Sequence, residues 1–574
     1  MLNNYLTIIS ITGLALFACD SGQRNSSKML TSLTERYQTV RDSMDEAYKS
    51  GWGPASVSEF ESLESVWNSL LSDLRNIDIK KLTPDEQINL ELLDLELSNE
   101  LNDLSFRSYL MPFNSEGGFL TEIIYSTQYA ILDTEEQREQ FLMKIKNLPD
   151  FLESKKTLMM EGIRTGKVSP AVITSRCLNL LENYVQSSED EFFIMATLKD
   201  ADIQDSFRLA VEATVSEKVI PAYKDLLSFV KERYLPASAA VPGISALEGG
   251  RDFYDAKVRY YTTLDMTADE VFMTGETEVK RIRAEMEEII RSLDFKGNFD
   301  DFLEFLRTDP QFYAKTPREL LYRASWLSKK IEGKLPKYFN KLPRMPFVVE
   351  PVPDAIAPNY TGGRYSEGSY KTGKPGAYWV NTFKLESRPL YVLPALTLHE
   401  AVPGHHLQIM LSRELENVPV FREQLYISAF GEGWGLYSEY LGKEAGMYET
   451  PYEDFGRLTY EMWRACRLVV DVGMHYKGWT REEAVSFMAS NTALSLHEVN
   501  TEIDRYIGWP AQALSYKIGE LKIKALRKKA EETLDEKFDI RAFHDLLLSK
   551  GSVRLSTLER MVDDYIANQK SAKS

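Results

Sequence analysis

The stretch His399-Glu400-Ala401-Val402-Pro403-Gly404-His405-His406 contains three of the six histidines in this chain of 574 residues. Helical patterns surround it, but Pro403 lacks an amide donor and Gly404 permits unusual backbone angles, so a helix should be interrupted there. Neutral imidazole is the commonest zinc ligand, and a glutamate beside the first histidine can act as a general base. We therefore expect a metal centre at a broken helix.

The choice of the second histidine depends on how the chain passes Pro403. On an undistorted helix His406 would lie within about 20° of His399, whereas His405 would lie roughly 120° away. A bulge at the Pro-Gly pair would instead carry His405 into place. We predict His399 and His405 as ligands, with His406 as an alternative ligand or a residue behind the ligands. The competing interpretation is a kinked helix whose histidines bond to backbone carbonyls.

A third ligand is expected from the segment Ala429 to Glu439, because a catalytic zinc usually has three protein ligands and one open position. Glu432 and Glu439 are seven residues apart and share a helical face, and glycines flank Glu432. We predict Glu432 as the third ligand and Glu439 as a hydrogen-bond acceptor for a ligand imidazole. A solvated acidic face is the alternative.

Other polar residues could assist catalysis. Asp471 and His475 are four residues apart and could share a helical face with Arg467, either near the site or in a structural ion-pair network. Tyr516 or His475 could stabilise an oxyanion, and Arg505 could hold a carboxylate in bidentate fashion. With Glu400 as general base, these residues complete the predicted catalytic set, although Arg505 and Tyr516 could equally be structural.

The composition narrows the class of protein. The formal charge of −18 disfavours nucleic acid as a partner, because such binding depends on Lys and Arg contacts to phosphate. Three cysteines exclude a disulfide framework. A hydrophobic content of 43% predicts a folded globular chain.

The N-terminus resembles a bacterial lipoprotein signal. Residues 1–18 carry no charge, an apolar run ends at Ala18, and Cys19 is followed by polar residues. We predict a signal peptide over 1–18, a linker over 19–29, and a lipid on Cys19 that holds the protein at the cell envelope, facing the periplasm or the exterior. An uncleaved apolar anchor is the alternative, and no other stretch approaches the roughly 20 apolar residues that span a bilayer.

The rest of the chain divides into two predicted regions. Residues 30–235 form an N-terminal helical region, which ends at a Pro/Ala/Ser stretch, and 236–574 form a catalytic helical region. A small sheet is expected at about 343–382, with strands near Phe347–Val349 and Ala377–Val380 around a turn at Gly362-Gly363. Residues Tyr378 to Asn381 could form an edge strand that pairs with an extended peptide, or their aromatic side chains could equally belong to the core.

Several motifs together resemble the bacterial family known as domain of unknown function 885, over most of residues 30–570. They are the run Leu398 to Gln408, the segment Glu432 to Glu439, Arg505-Tyr506, and Pro510 to Gly519. That family is in turn similar to helical zinc peptidases of the gluzincin type, including carboxypeptidases and oligopeptidases. The resemblance implies a mainly α, clam-like metallopeptidase fold with a deep groove and a small β-sheet insertion near it.

The expected function is hydrolysis of peptide or other amide bonds with Zn²⁺, a peptide substrate, and Glu400 as general base. Arg505, if it faces the groove, would suit a free C-terminal carboxylate and so a carboxypeptidase. The alternative is a non-catalytic envelope lipoprotein that binds peptides or metal in the same groove. A further alternative keeps the metal but changes the substrate to another amide or an ester.

Overall fold

The computed structural model of the protein describes residues 22–199, 203–354, 356–357, 360–423 and 425–571. The predicted signal peptide and Cys19 lie outside these residues. Helices dominate the described chain and one three-stranded sheet accompanies them, which confirms the predicted mainly α class with a small β-sheet. None of the helices in the ranges given above is both long and apolar enough to cross a membrane.

Contacts between Cα atoms group the chain into two compact units. The first comprises Met1–Ala256 with Ile507–Trp509, and the second comprises Lys257–Tyr506 with Pro510–Ser574. The boundary expected at residue 235 stays a prediction. A helical run ends nearby at Ala237, within the Pro/Ala/Ser stretch.

Helices of the first unit begin at clear sequence signals. Ser56, Thr83 and Thr134 each accept a hydrogen bond from the amide three residues later, where a Glu or Gln bonds back to the cap. Before Pro221 and Pro236, which lack an amide donor, the helix widens into π turns at Val215–Val219 and Val230–Tyr234. The helices are α1 (Gly22–Ser50), α2 (Val57–Arg75), α3 (Pro84–Phe106), α4 (Phe119–Gln128), α5 (Glu135–Thr165), α6 (Ala171–Gln186), α7 (Ala196–Lys199), α8 (Asp205–Thr214), α9 (Ile220–Phe229), α10 (Leu235–Ala237) and α11 (Gly250–Thr262), in which the division falls.

The second unit is organised around one long buried helix, Pro451–His475, which is α19. Every side chain of that helix from Phe455 to His475 is buried, although six of them are ionisable residues other than Cys and Tyr. The helices that follow α11 are α12 (Ala268–Ser292), α13 (Phe299–Thr308), α14 (Pro317–Glu332), α15 (Leu393–Glu400), α16 (His405–Ser412), α17 (Val420–Glu423), α18 (Ser428–Glu444), α19 (Pro451–His475), α20 (Arg481–Asn491), α21 (Leu496–Gly508), α22 (Ser515–Leu534), α23 (Ile540–Leu548) and α24 (Leu555–Ser571). Charge inside such a helix needs partners or a function, because unpaired buried charge is costly.

The small sheet consists of β1 (Phe347–Pro351), β2 (Gly363–Ser366) and β3 (Gly376–Val380) in the order β1-β3-β2. Strand β1 is parallel to β3, and β2 is antiparallel to it. The expectation of an edge strand at Tyr378 to Asn381 is therefore wrong: β3 pairs on both sides, and Tyr378 is fully buried. Strand β2, where a turn was expected, provides an edge instead.

Candidate metal centre

The helix that carries the first histidine ends at Glu400, and a new helix begins at His405. The interruption lies at the Pro-Gly pair, as the sequence predicts. Glycine is required at position 404, because a Cβ atom there would lie 1.9 Å from the carbonyl oxygen of His399. The two histidines thus belong to separate helices that meet in a buried turn.

This arrangement brings together the side chains of His399, His405 and Glu432. Their ligand atoms all lie within 4.8 Å of one another. The Nε2 atom of each histidine is 3.4 Å from Oε2 of Glu432, and the two imidazole rings are nearly perpendicular. Tetrahedral ligands at zinc distances of 2.0–2.1 Å are separated by about 3.3–3.4 Å. The cluster therefore has the donor atoms and the spacing for one small divalent cation.

His406 lies apart from this cluster. Its Nε2–H donates to the carbonyl of Met345 at 2.9 Å, and its Nδ1 accepts from the hydroxyl of Tyr365 at 3.0 Å. Burial lowers the pKa of His406 to about 4, so the ring is neutral. Both nitrogens have partners that hold β2 and the segment before β1 against α16.

Glu439 lies behind the first histidine. The Nδ1–H of His399 donates to Oε1 of Glu439 at 2.7 Å, and both side chains are almost fully buried. This bond fixes the tautomer whose Nε2 lone pair faces Glu432. Gly435 makes the approach possible, because a Cβ atom on it would lie 2.7 Å from the imidazole ring of His399.

The electrostatics of the cluster favour a cation. Burial opposes charge on Glu432, but the imidazoles of His405 and His399 hold the pKa of its carboxyl well below the usual value. Burial likewise disfavours imidazolium at His399, but hydrogen bonds to Glu432 and Glu439 raise its pKa to about 9. The carboxylates that favour a proton on His399 equally favour a metal ion between the three side chains.

Glu400 borders the cluster from the end of α15. Its Oε2 atom accepts a hydrogen bond of 2.8 Å from the backbone amide of Tyr365, which anchors the carboxylate to the edge strand β2. On the other side, the hydroxyl of Tyr426 donates to Oε1 of Glu432 at 2.9 Å. Sequence reasoning missed both tyrosines. No spacing to the motif points to Tyr365, and a backbone amide leaves no signal in the sequence.

His475 and Asp471 make contacts with the segment around the end of α21. The Nε2–H of His475 donates to the backbone carbonyl of Tyr506 at 2.9 Å. Asp471 accepts from the amide of Ala511 at 3.1 Å, where the chain adopts a positive φ. These contacts secure the turn between α21 and α22.

Arg505 and Tyr516 have different surroundings. Arg505 donates to Oε1 of Gln512 at 2.8 Å and to Oε2 of Glu502 at 3.1 Å. The ring of Tyr516 lies 4.1 Å from the guanidinium carbon of Arg467. Burial and the nearby carboxylate of Glu432 raise the pKa of Tyr516. Tyr516 is thus close to the cluster, whereas Arg505 is held by neighbouring side chains.

Two solved structures share this fold. A candidate lipoprotein from Colwellia psychrerythraea is similar with a TM-score of 0.85 and 26% identity, over 96% of this chain and 100% of the other. A candidate lipoprotein of unknown function from Shewanella oneidensis has a TM-score of 0.74 at 20% identity, over 95% of this chain and 100% of the other. At that identity the second similarity shows the fold alone.

A third solved structure resembles the chain only weakly. A carboxypeptidase from Pyrococcus furiosus has a TM-score of only 0.34 at 12% identity, over 96% of this chain and 100% of the other. That score carries no argument about fold or activity. None of the curated proteins compared with the chain matches it significantly.

The family is shown by a match along the sequence. A model of the family described as "Bacterial protein of unknown function (DUF885)" matches residues 39–562. This confirms the resemblance carried by the histidine-rich stretch and the motifs that follow it. Because the match extends over most of its length, the chain belongs to the DUF885 family of bacterial proteins.

Proposed function

We propose that the protein is a zinc-dependent hydrolase of the bacterial cell envelope that cleaves peptide bonds. The observation that carries the proposal is the convergence of His399, His405 and Glu432 at the spacing of tetrahedral ligands. Glu400 lies next to this cluster with its carboxylate anchored by Tyr365. A cation site with an adjacent general base is the arrangement that metal-assisted hydrolysis requires.

The three ligand side chains fit zinc better than magnesium or calcium, because two of the donors are imidazole nitrogens and the third is a carboxylate. Zinc bound there supplies a Lewis acid that polarises a carbonyl group and lowers the pKa of water. Glu439 keeps the His399 ring in the required tautomer. The hydroxyl of Tyr426 donates to Oε1 of Glu432, while Oε2 of the same carboxylate faces the two imidazoles.

Glu400 is proposed to accept a proton from the attacking water and to return it to the leaving amine. The amide of Tyr365 holds one of its oxygens, so the carboxylate has a fixed orientation. Tyr516, half-buried near Glu432, is the proposed donor to the oxyanion of the tetrahedral intermediate. It suits this role better than His475, whose Nε2–H already donates to a backbone carbonyl.

A peptide substrate is supported by the edge strand beside the cluster. Strand β2 pairs with β3 on one side only, and its residue Tyr365 bonds to Glu400. An extended peptide beside this edge would lie next to the general base, with the amide of Tyr365 remaining on Glu400. The envelope location is supported by the signal-like sequence that ends at Cys19 and by the similar candidate lipoprotein from Colwellia psychrerythraea.

The replacement Glu400→Gln tests the proposal. The purified soluble chain should bind about one zinc ion, measured by elemental analysis, and should cleave members of a peptide library, measured by mass spectrometry. The variant should retain zinc and lose about 10²- to 10⁴-fold in kcat. Glu416→Gln, at an exposed position beyond α16, serves as the matched control and should match the wild type.

Three results would contradict the proposal. A chain that binds no zinc has no metal centre. A Glu400→Gln variant that cleaves at the wild-type rate has another general base. Zinc binding by a wild-type chain that cleaves no peptide, amide or ester would favour the non-catalytic envelope binder.

A further inference from the structure

Two buried arginines on α19 have hydrogen-bond donors without acceptors. Arg464 is 5% exposed and Arg467 is 2% exposed. Within the described chain, Nε and Nη1 of Arg464 and Nη1 of Arg467 have no hydrogen-bond partner. A buried donor without an acceptor is costly, particularly on a charged group. The two guanidinium groups therefore have capacity for an anion.

Arg464 lies close to the metal centre. Its Nη2 atom is 4.0 Å from Oε1 of Glu439, the same oxygen that accepts from His399. Its guanidinium carbon is 5.9 Å from the ring centre of Tyr516, whose other neighbours include Arg467 and Glu432. One carboxylate thus separates Arg464 from a predicted zinc ligand.

Several cations of this part of the second unit face the carboxylates of α21, beside the long ion pair of Arg464 with Glu439. Glu502 already accepts from Arg467 at 3.0 Å, from Arg505 at 3.1 Å and from the hydroxyl of Tyr506 at 2.7 Å. Glu498 is the other carboxylate of α21 that faces these cations. Around these two carboxylates stand four guanidinium groups, those of Arg388, Arg464, Arg467 and Arg505.

Arg505 was the arginine that the sequence suggested for a substrate carboxylate. Its guanidinium instead donates to Gln512 and to both oxygens of Glu502. Arg464 contrasts with it, because its ion pair is long, 4.0 Å to the Glu439 oxygen that accepts from His399, and the other oxygen of Glu439 also has no hydrogen-bond partner within the described residues. The free capacity lies at Arg464 and not at Arg505.

We propose that Arg464, with Arg467 beside it, binds a carboxylate of the substrate, an inference that rests on the proposed peptidase function. Guanidinium forms charge-assisted hydrogen bonds with carboxylate, and Arg464 has unpaired donors at Nε and Nη1. The carboxylate is either the C-terminus of the peptide or an acidic side chain of the substrate.

A cavity of about 340 Å³ lies beside this group of charges and is lined by Arg388, whereas Arg464 and Arg467 are not among its lining residues. Tyr460 and Glu498 line it, and the guanidinium carbon of Arg464 lies 4.7 Å from the ring centre of Tyr460. Most of its other walls are apolar, among them Leu396, which precedes His399 by one helical turn. The ring of Tyr460 thus contacts both the cavity and Arg464.

Three peptides that differ only at the C-terminal residue or its carboxyl group test the inference on the zinc-loaded enzyme. The first has neutral side chains and a free C-terminus, the second is its C-terminal amide, and the third is the amide with a glutamate as its last residue. A higher kcat/KM for the first peptide than for the second, by about 10- to 100-fold, identifies the C-terminal carboxylate. A gain of that size only for the third identifies an acidic side chain. Equal values for all three overturn the inference.

Variants assign the preference to Arg464. Arg464→Gln should reduce the ratio of kcat/KM between the peptide with the carboxylate and the neutral amide to near unity. The milder Arg464→Lys should reduce this ratio less. The neutral amide is still cleaved by both variants. Arg457→Lys is the matched control, because Arg457 is buried on the same helix but is paired with Asp454 and Glu461. A preference that survives in both Arg464 variants overturns the assignment.

A binding measurement separates this inference from the proposed function. With chelator present, so that no metal can bind a carboxylate, isothermal titration compares N-acetylphenylalanine with its amide. The acid should bind the wild type at least about 10-fold more tightly than the amide, and Arg464→Gln should lose this difference. If the enzyme cleaves no substrate and the acid still binds more tightly than the amide, the proposed function is contradicted and the carboxylate site is not. Absence of the difference in the wild type overturns the carboxylate site.

Discussion

The replacement Glu439→Gln should weaken metal binding without disturbing the fold. Glutamine keeps an oxygen that accepts from Nδ1–H of His399, so the imidazole retains its tautomer and position. The variant removes only the negative charge, which lies 2.7 Å from the ring in an almost fully buried pair. The effect on metal affinity then measures how strongly this carboxylate supports the histidine.

The size of the effect follows from the burial of the pair. A hydrogen bond to a charged group contributes about 1.5–3 kcal/mol. Residues that hold a metal ligand typically change metal affinity by about 10- to 100-fold, which equals about 1.4–2.8 kcal/mol. The two ranges agree, so we expect the zinc dissociation constant to rise by about 10- to 100-fold.

Competition with a chromophoric chelator measures that constant. Glu444→Gln is the matched control, because Glu444 lies on the same helix but forms a surface ion pair with Arg527. Surface pairs contribute about 0–1 kcal/mol and this one is remote from the cluster, so the control should bind zinc as the wild type does. A Glu439→Gln variant with an unchanged zinc constant would refute the assigned role of Glu439.

Three further predictions concern stability, measured by urea unfolding. Gly519→Ala should cost about 1–3 kcal/mol, because its Cβ would lie 2.0 Å from the carbonyl oxygen of Ala429 and separate α22 from α18; an unchanged midpoint would contradict this packing. Lys517→Met should lower the free energy of unfolding by about 3–5 kcal/mol, because Lys517 is wholly buried among three carboxylates. The control Lys528→Met, on the exposed face of α22, should change it by less than about 0.5 kcal/mol. Burial raises the pKa of Glu498 to about 7, so the folded state holds its proton more tightly than the unfolded state and stability falls as pH rises from about 4.5 to 7. The free energy of unfolding of Glu498→Gln should therefore exceed that of the wild type by at most about 3 kcal/mol at pH 8 and should equal it near pH 4. A difference in the free energy of unfolding that does not depend on pH would contradict the raised pKa. The charged groups that face Glu498 are Arg388, Arg464, Arg467 and Glu502.

The helix break and the cluster were predictable because their signals are local. Pro403 and Gly404 limit the backbone wherever they occur, so the end of a helix at Glu400 and the turn after it follow from the sequence. The glycines that flank Glu432 similarly indicate a close approach, which Tyr426 makes at Gly431 and Gly519 makes at Gly433. In the described structure His405 is the histidine that this turn brings to Glu432.

The surroundings of the cluster were not predictable, because they depend on contacts between distant segments. Tyr365 reaches Glu400 through its backbone, and Arg464 is distinguished from Arg505 only by which carboxylate packs opposite it. Spacing along a helix could not show that Glu502 would neutralise Arg505. The position of β3 was misjudged for the same reason, since burial on both sides of Tyr378 requires a β2 strand of only four residues that its sequence hardly signals.

The division of the histidines between two helices has a consequence for metal selectivity. In a continuous helix, the distance between the two imidazoles is fixed by the helical repeat, and every homologue inherits the same separation. Here the buried residues from Ala401 to Gly404 set that distance independently of either helix. Small changes in this turn can widen or narrow the opening between the rings while α15 and α16 remain intact. In the proposed metal centre, this four-residue turn would therefore set the size of the cation that fits between the two imidazoles.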